Sequence, residues 1–134
     1  MKQKNLGIVV SDFHKEIAEE MLAAAKIAAQ QNGFRVAEVK KVIGVFDIPL
    51  PLKKMLSKKS VDAAIVLGAV VQGETAHDEV VAFVAAEKIS RLSLDYNKPV
   101  GFGISGPRMT IEQAGARAKE FSSRAVEAAR RMLK

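Results

Sequence analysis

Ala63-Ala64-Ile65-Val66-Leu67-Gly68-Ala69-Val70-Val71-Gln72-Gly73-Glu74-Thr75-Ala76-His77-Asp78-Glu79 is the stretch on which the architecture turns. Its first half is apolar without alternation, as expected of a strand covered on both sheet faces. The strand it predicts runs from Val61 to Val71. An apolar-periodic segment follows, so Gly73 to Glu79 falls where a buried strand hands over to a helix. In an open parallel sheet the ligand crevice lies outside the carboxyl ends of the strands. A helix N-terminus there presents unpaired N–H groups and partial positive charge, which suits a phosphate. His77, placed one turn in, can exchange protons near neutral pH. The stretch therefore reads as a site for a small phosphorylated molecule.

Working outward, the same alternation of strand and helix recurs. Leu6 to Val10 reads as a short buried strand behind a tail, Met1 to Asn5. Ser11-Asp12 can cap a helix carrying Ile17, Met21, Leu22, Ala25 and Ala28, which Gly33 ends. Arg35 to Val42 predicts a second strand, with Val36, Val39 and Val42 as its apolar share. Gly44 to Pro51 breaks it, and Pro51 suits the first turn of a helix reaching Leu56. Val80, Val81, Val84, Ile89 and Leu92 mark a third helix, and Pro99 to Ile104 a fourth strand. Ser105-Gly106-Pro107 reads as a turn, and Thr110 as the cap of a last helix to about Leu133. The order βαβαβαβα predicts an α/β three-layer αβα sandwich on a four-stranded parallel sheet with right-handed crossovers. No linker or repeat divides the 134 residues, so one domain over 1–134 is expected.

Composition narrows the function classes. Lys and Arg number 21 against 15 Asp and Glu, a net charge of +6. A solvated lysine-rich surface accounts for this, and so does attraction of anionic metabolites. Tryptophan is absent, there is one tyrosine, and the basic residues are scattered, which argues against nucleic acid. Without cysteine there is no disulfide framework and no thiolate metal site, in keeping with a reducing cytoplasm. Leu6 to Val10 is too short for a signal-peptide core. No apolar run approaches the ~18 residues of a membrane helix.

Each predicted strand ends in residues able to do chemistry. Phe13 follows the first strand; it serves either as core or as a flat face for a planar heterocycle. Gly44-Val45-Phe46-Asp47 follows the second. Gly44 allows a close backbone approach, and Phe46 reads as a plug beneath its loop. Asp47 either accepts from sugar-like hydroxyls or caps the next helix. His77 reads as an exposed helix residue or as a proton shuttle, and the neighbouring Asp78 and Glu79 favour its charged form. Glu74 has the wrong sign for a phosphate seat, so only its backbone N–H can help. Met55, Met109 and Met132 read as core filler. His14 and His77 belong to different elements and no third nitrogen ligand exists, so no metal is expected. No Gly-x-Gly-x-x-Gly or Walker sequence follows the first strand, which argues against dinucleotides and nucleoside triphosphates.

Gly44-Val45-Phe46-Asp47-Ile48-Pro49-Leu50, Leu67-Gly68 and Gly73-Glu74-Thr75-Ala76-His77-Asp78 together resemble the lumazine synthases. The likeness runs from Gly7 to the last helix, and Gly103-Ile104-Ser105-Gly106-Pro107 resembles the archaeal branch. It implies a flavodoxin-like sheet and a reaction without cofactor or metal. A ribitylaminouracil condenses with 3,4-dihydroxy-2-butanone 4-phosphate to 6,7-dimethyl-8-ribityllumazine. The resemblance further implies that Phe13 stacks on the pyrimidine and that Val45, Phe46 and Asp47 hold the ribityl chain and ring. Ala69, Val70 and Val71 would give backbone contacts, Glu74 and Thr75 would seat phosphate, and His77 would move protons. It places Phe102 and Arg117 in a neighbouring subunit's site, covering the heterocycle and pairing with phosphate. Homopentamers are implied, alone, stacked in pairs or built into sixty-subunit shells. Asp47 stands where bacterial members carry Glu, and the family's second phosphate-side cation has no clear match beyond Arg124.

Two other functions fit less of this pattern. An archaeal-type riboflavin synthase releases no phosphate and has less use for Thr75 and Arg117. A flavin-binding module without catalysis would bind but not turn over.

Overall fold

The computed structural model describes residues 3–133. A four-stranded parallel sheet runs in the order β2-β1-β3-β4. Its strands are β1 (Lys4–Ser11), β2 (Phe34–Val42), β3 (Ala63–Val71) and β4 (Val100–Met109). The helices are α1 (Lys15–Gln31), α2 (Pro49–Leu56), α3 (His77–Tyr96) and α4 (Ile111–Met132), with one 3-10 turn over Val45–Asp47. No helix among the described residues is long and apolar enough to cross a membrane.

The three layers follow from strand parity. Leu6, Ile8 and Val10 of β1 and Ile65 and Leu67 of β3 face α1 and α4. Val9, Ala64 and Val66 face the 3-10 turn, α2 and α3. Both faces are covered, which is why β3 is apolar at every position. In β2, Val36 and Val39 are three apart and a regular strand would send them to opposite faces. A register shift opposite Leu6 and Gly7 skips Ala37, and both valines pack on the α1 side.

The α1 and α4 layer is built from small residues. Ala25, Ala28 and Ala29 meet a stripe of Ala114, Ala118, Ser122, Ala125 and Ala129, all buried. Ser122 satisfies its buried hydroxyl by donating to Ala118 O at 2.8 Å. Thr110 caps α4 as expected. Its Oγ1 accepts from Gln113 N at 3.1 Å while Gln113 Oε1 accepts from Thr110 N at 3.0 Å. Such a cap contributes about 1 kcal/mol. Gly33, at φ +74, ends α1 as its position predicts.

Several expectations are corrected. Lys4 and Asn5 belong to β1 rather than to a tail; Met1 and Lys2 lie outside the described residues. Ser11 does not cap α1, whose N-cap is His14. Its hydroxyl donates to Ile43 O at 2.9 Å and ties the ends of β1 and β2 together. Strand β3 begins at Ala63, after Val61. Ser105-Gly106-Pro107 is no turn: β4 continues through it to Met109 as an irregular segment, with Gly106 at φ +99 and Arg108 at φ +63. In α3, Val80 and Val84 face outward with Phe83, and the buried side is Asp78, Ala82, Ala85 and Ile89. Met132 is exposed, whereas Met55 is core.

Candidate active site

A cavity of about 320 Å³ opens at the carboxyl ends of β1, β2 and β3. The sheet order places it where the connections from β1 and from β3 diverge, the position at which doubly wound sheets bind ligands. Phe13 and His14 come from the β1–α1 connection, and Gly44, Val45 and Phe46 from the end of β2. Ala69, Val70 and Val71 form the floor, and Gly73, Thr75, His77, Asp78 and Val81 the far side.

Phe13 is 68% exposed and meets His14 edge to face at 5.1 Å, so it is not core. Phe46 is 58% exposed and walls the cavity, which corrects its reading as a plug; Val45 is the buried member of that turn. Two aromatic faces left bare beside an apolar floor suit a planar ring. Asp47 lies outside the lining. Its Oδ2 accepts from Gly44 N at 2.9 Å, so the carboxylate fixes the turn that presents Phe46.

His77 is the first residue of α3, not one turn in. It is exposed, and its N–H points to Thr75 Oγ1 at 3.3 Å. The neighbouring carboxylates are both engaged with Arg108. Asp78 Oδ2 accepts from Arg108 N at 2.9 Å, and Glu79 Oε1 accepts from Arg108 Nε at 2.5 Å. Glu74 is exposed and outside the lining. His14 and His77 reach the same cavity from different elements. No cluster of three or more metal-ligating side chains occurs among the described residues.

No Lys or Arg lines the cavity among the described residues. Phe102 sits exposed on the edge strand β4, on the α3 face between Val100 and Ile104, and does not reach the cavity of its own chain. Arg117 is exposed on α4 and also lies outside it. Arg124 is engaged with Glu120 one helical turn away. Arg108 escaped the sequence reading. It follows Gly106-Pro107, which read as the end of the strand, and nothing in a single sequence signals that its backbone N–H serves Asp78.

The fold and the cavity define a doubly wound α/β protein whose β1–β3 switch point holds a cavity with the size and aromatic lining that suit a small, partly planar ligand. Over residues 3–134 the chain matches the family described as 6,7-dimethyl-8-ribityllumazine synthase, and it belongs to that family. A 6,7-dimethyl-8-ribityllumazine synthase of Methanobrevibacter smithii is 47% identical over 132 residues, 98% of this chain and 95% of the relative. That of Archaeoglobus fulgidus is 48% identical over 134 residues, 100% of this chain and 93% of the relative. That of Metallosphaera sedula is 48% identical over 129 residues, 96% of this chain and 85% of the relative. Neither a riboflavin synthase nor a non-catalytic flavin-binding module is favoured by these matches.

Proposed function

We propose that this chain condenses a ribitylaminouracil with 3,4-dihydroxy-2-butanone 4-phosphate to give 6,7-dimethyl-8-ribityllumazine. The aromatic amine attacks the ketone and water leaves as the imine forms. Elimination expels phosphate, and the ribityl-bearing nitrogen closes the second ring with loss of water. The supporting observation is the cavity itself: aromatic at Phe13 and Phe46, floored by Ala69 to Val71, with Thr75 and His77 at the start of a helix. The uracil ring stacks between the aromatic faces and reads the β3 backbone. Phosphate sits toward Thr75, where helix N–H groups favour an anion. Incubating purified protein with both substrates should yield lumazine fluorescence and equimolar phosphate. Tight flavin binding without phosphate release would refute the reading.

The missing cation comes, in this reading, from a second copy. What motivates it is that no Lys or Arg lines the cavity among the described residues. Arg117 of one subunit and Phe102 of the same subunit complete the neighbour's site in a homopentamer or a multiple of it. Val80, Phe83 and Phe102 are exposed apolar side chains that such contacts would cover.

Two outcomes follow for single variants. Arg117→Ala should raise the KM for the phosphate substrate on the order of tenfold or more, since a charge-assisted hydrogen bond is worth roughly 1.5–3 kcal/mol. The KM for the pyrimidine should stay within experimental scatter; equal loss for both would remove Arg117 from the phosphate seat. His77→Ala should remain measurably active. Positioning two reactants supplies ~7–11 kcal/mol, whereas one proton-transfer group supplies roughly 10²–10⁴-fold. Total loss of turnover in a folded, assembled His77→Ala protein would show that proton transfer, not positioning, dominates.

A further inference from the structure

The segment from Gln72 to Asp78 carries four groups of the cavity wall, Gly73, Thr75, His77 and Asp78, yet Gln72 to His77 is exposed throughout. It is fastened at both ends to one place. At its start Gln72 N donates to Met109 O at 2.7 Å. At its end Asp78 Oδ2 accepts from Arg108 N at 2.9 Å. Arg108 and Met109 are adjacent in the irregular last part of β4, which packs closely on β3: a Cβ on Gly106 would lie 2.2 Å from Val70 O.

Asp78 is 7% exposed, a carboxylate turned inward on the first turn of α3. A carboxylate there ordinarily caps its own helix or answers the helix dipole from the surface. Neither describes Asp78. The N-cap residue Ala76 offers no side-chain cap hydrogen bond, and the Asp78 carboxylate reaches across to the backbone of another element. Arg108 holds φ +63, an arrangement that a non-glycine residue keeps only when surroundings enforce it. The Arg108–Glu79 pair runs parallel to this contact, but its arginine side chain is 74% exposed, and exposed pairs contribute little.

We infer that Asp78 is a positioning residue: its carboxylate latches the first turn of α3 to the Arg108 backbone and thereby holds Thr75 and His77 against the cavity. The kinetic part rests on the proposed synthase reading; the structural part does not. A latch acting on one wall should affect the phosphate substrate, which that wall serves, and spare the pyrimidine, which Phe13, Phe46 and β3 hold.

The test compares the full-length protein with Asp78→Ala and Asp78→Asn by amide hydrogen exchange and by steady-state kinetics. The amide of His77 donates to Thr75 Oγ1, and those of Glu79 and Val80 donate to Ala76 O. In Asp78→Ala these three should exchange faster by on the order of tenfold, with a KM for the phosphate substrate raised by a similar factor. The pyrimidine KM should be unchanged. Asp78→Asn should restore both, because its amide oxygen can accept the same N–H. If Asp78→Ala does not fold, Asp78→Leu, similar in shape but without an acceptor, replaces it with the same expectations. Unaltered exchange at the three amides, equal KM changes for both substrates, or an Asn variant as impaired as the Ala variant would each overturn the latch. A wild-type protein without lumazine formation would instead refute the synthase reading, and the exchange result would still decide the latch.

Discussion

Gly101→Ala is expected to lower the melting temperature by roughly 5–10 °C. Gly101 lies on β4 where α4 crosses it, and a Cβ there would stand 1.9 Å from Ala125 O and 2.7 Å from its carbonyl carbon. Replacing glycine by alanine in an extended strand otherwise favours folding by roughly 0.4–1 kcal/mol through the unfolded chain. Overpacking opposes it by roughly 1–3 kcal/mol, occasionally more, and wins here because the obstacle is backbone. Gly7→Ala is the internal control. Its Cβ would fall 2.1 Å from Met55 Sδ, nearly as close, but a thioether side chain can rotate away. Equal melting temperatures for the two variants would show that α4 retreats freely from the sheet. Under the shared-site proposal the consequence reaches function, because α4 also carries Arg117: a helix pushed off β4 would move the cation proposed for the neighbouring site.

What the sequence discloses divides along a physical line. The layers are legible because parity and helical spacing record which faces are buried: β3 shows this by unbroken apolarity and α1 by Ile17, Met21 and Ala25. The α4 boundary is legible because the Thr110 and Gln113 side chains are short-range chemistry. Phe13 and the β3 floor could be placed at the strand ends, and the cavity does bring them together. For Phe46 only the plug reading fails, because exposure of a loop aromatic depends on the turn that Asp47 fixes, a tertiary outcome. Val80 and Val84 misled for a related reason. Apolar periodicity marks a covered face without saying whether the cover lies in the same chain, and in α3 the same-chain cover is taken by Ala82, Ala85 and Ile89. Arg108 was invisible because its contribution is a backbone N–H.

Mixing an Arg117→Ala protein with a Phe13→Ala protein, unfolding them and refolding them together should create activity that neither possesses alone. Phe13 belongs to the cavity of its own chain, and Arg117 does not reach it. If Arg117 completes the adjacent subunit's site, every site in either pure assembly lacks one group. In mixed rings built on head-to-tail interfaces, about a quarter of sites in an equal mixture pair an intact Phe13 with an intact Arg117. Those sites should work at wild-type rate, because both substrates are held as before. Removing an aromatic stacking face and a charge-assisted phosphate contact each lowers kcat/KM by on the order of tenfold or more, so restored sites stand clear of the pure-variant background. The same arrangement ties activity to assembly. Obligate interfaces typically bury ~2,000 Å² or more, and Val80, Phe83, Phe102 and the open edge of β4 are surfaces such contacts would cover. Sedimentation should therefore find little monomer at micromolar concentration. An active monomer would overturn the shared site, as would verified mixed rings with no more activity than the average of the two variants, because the cation would then have to come from within the chain.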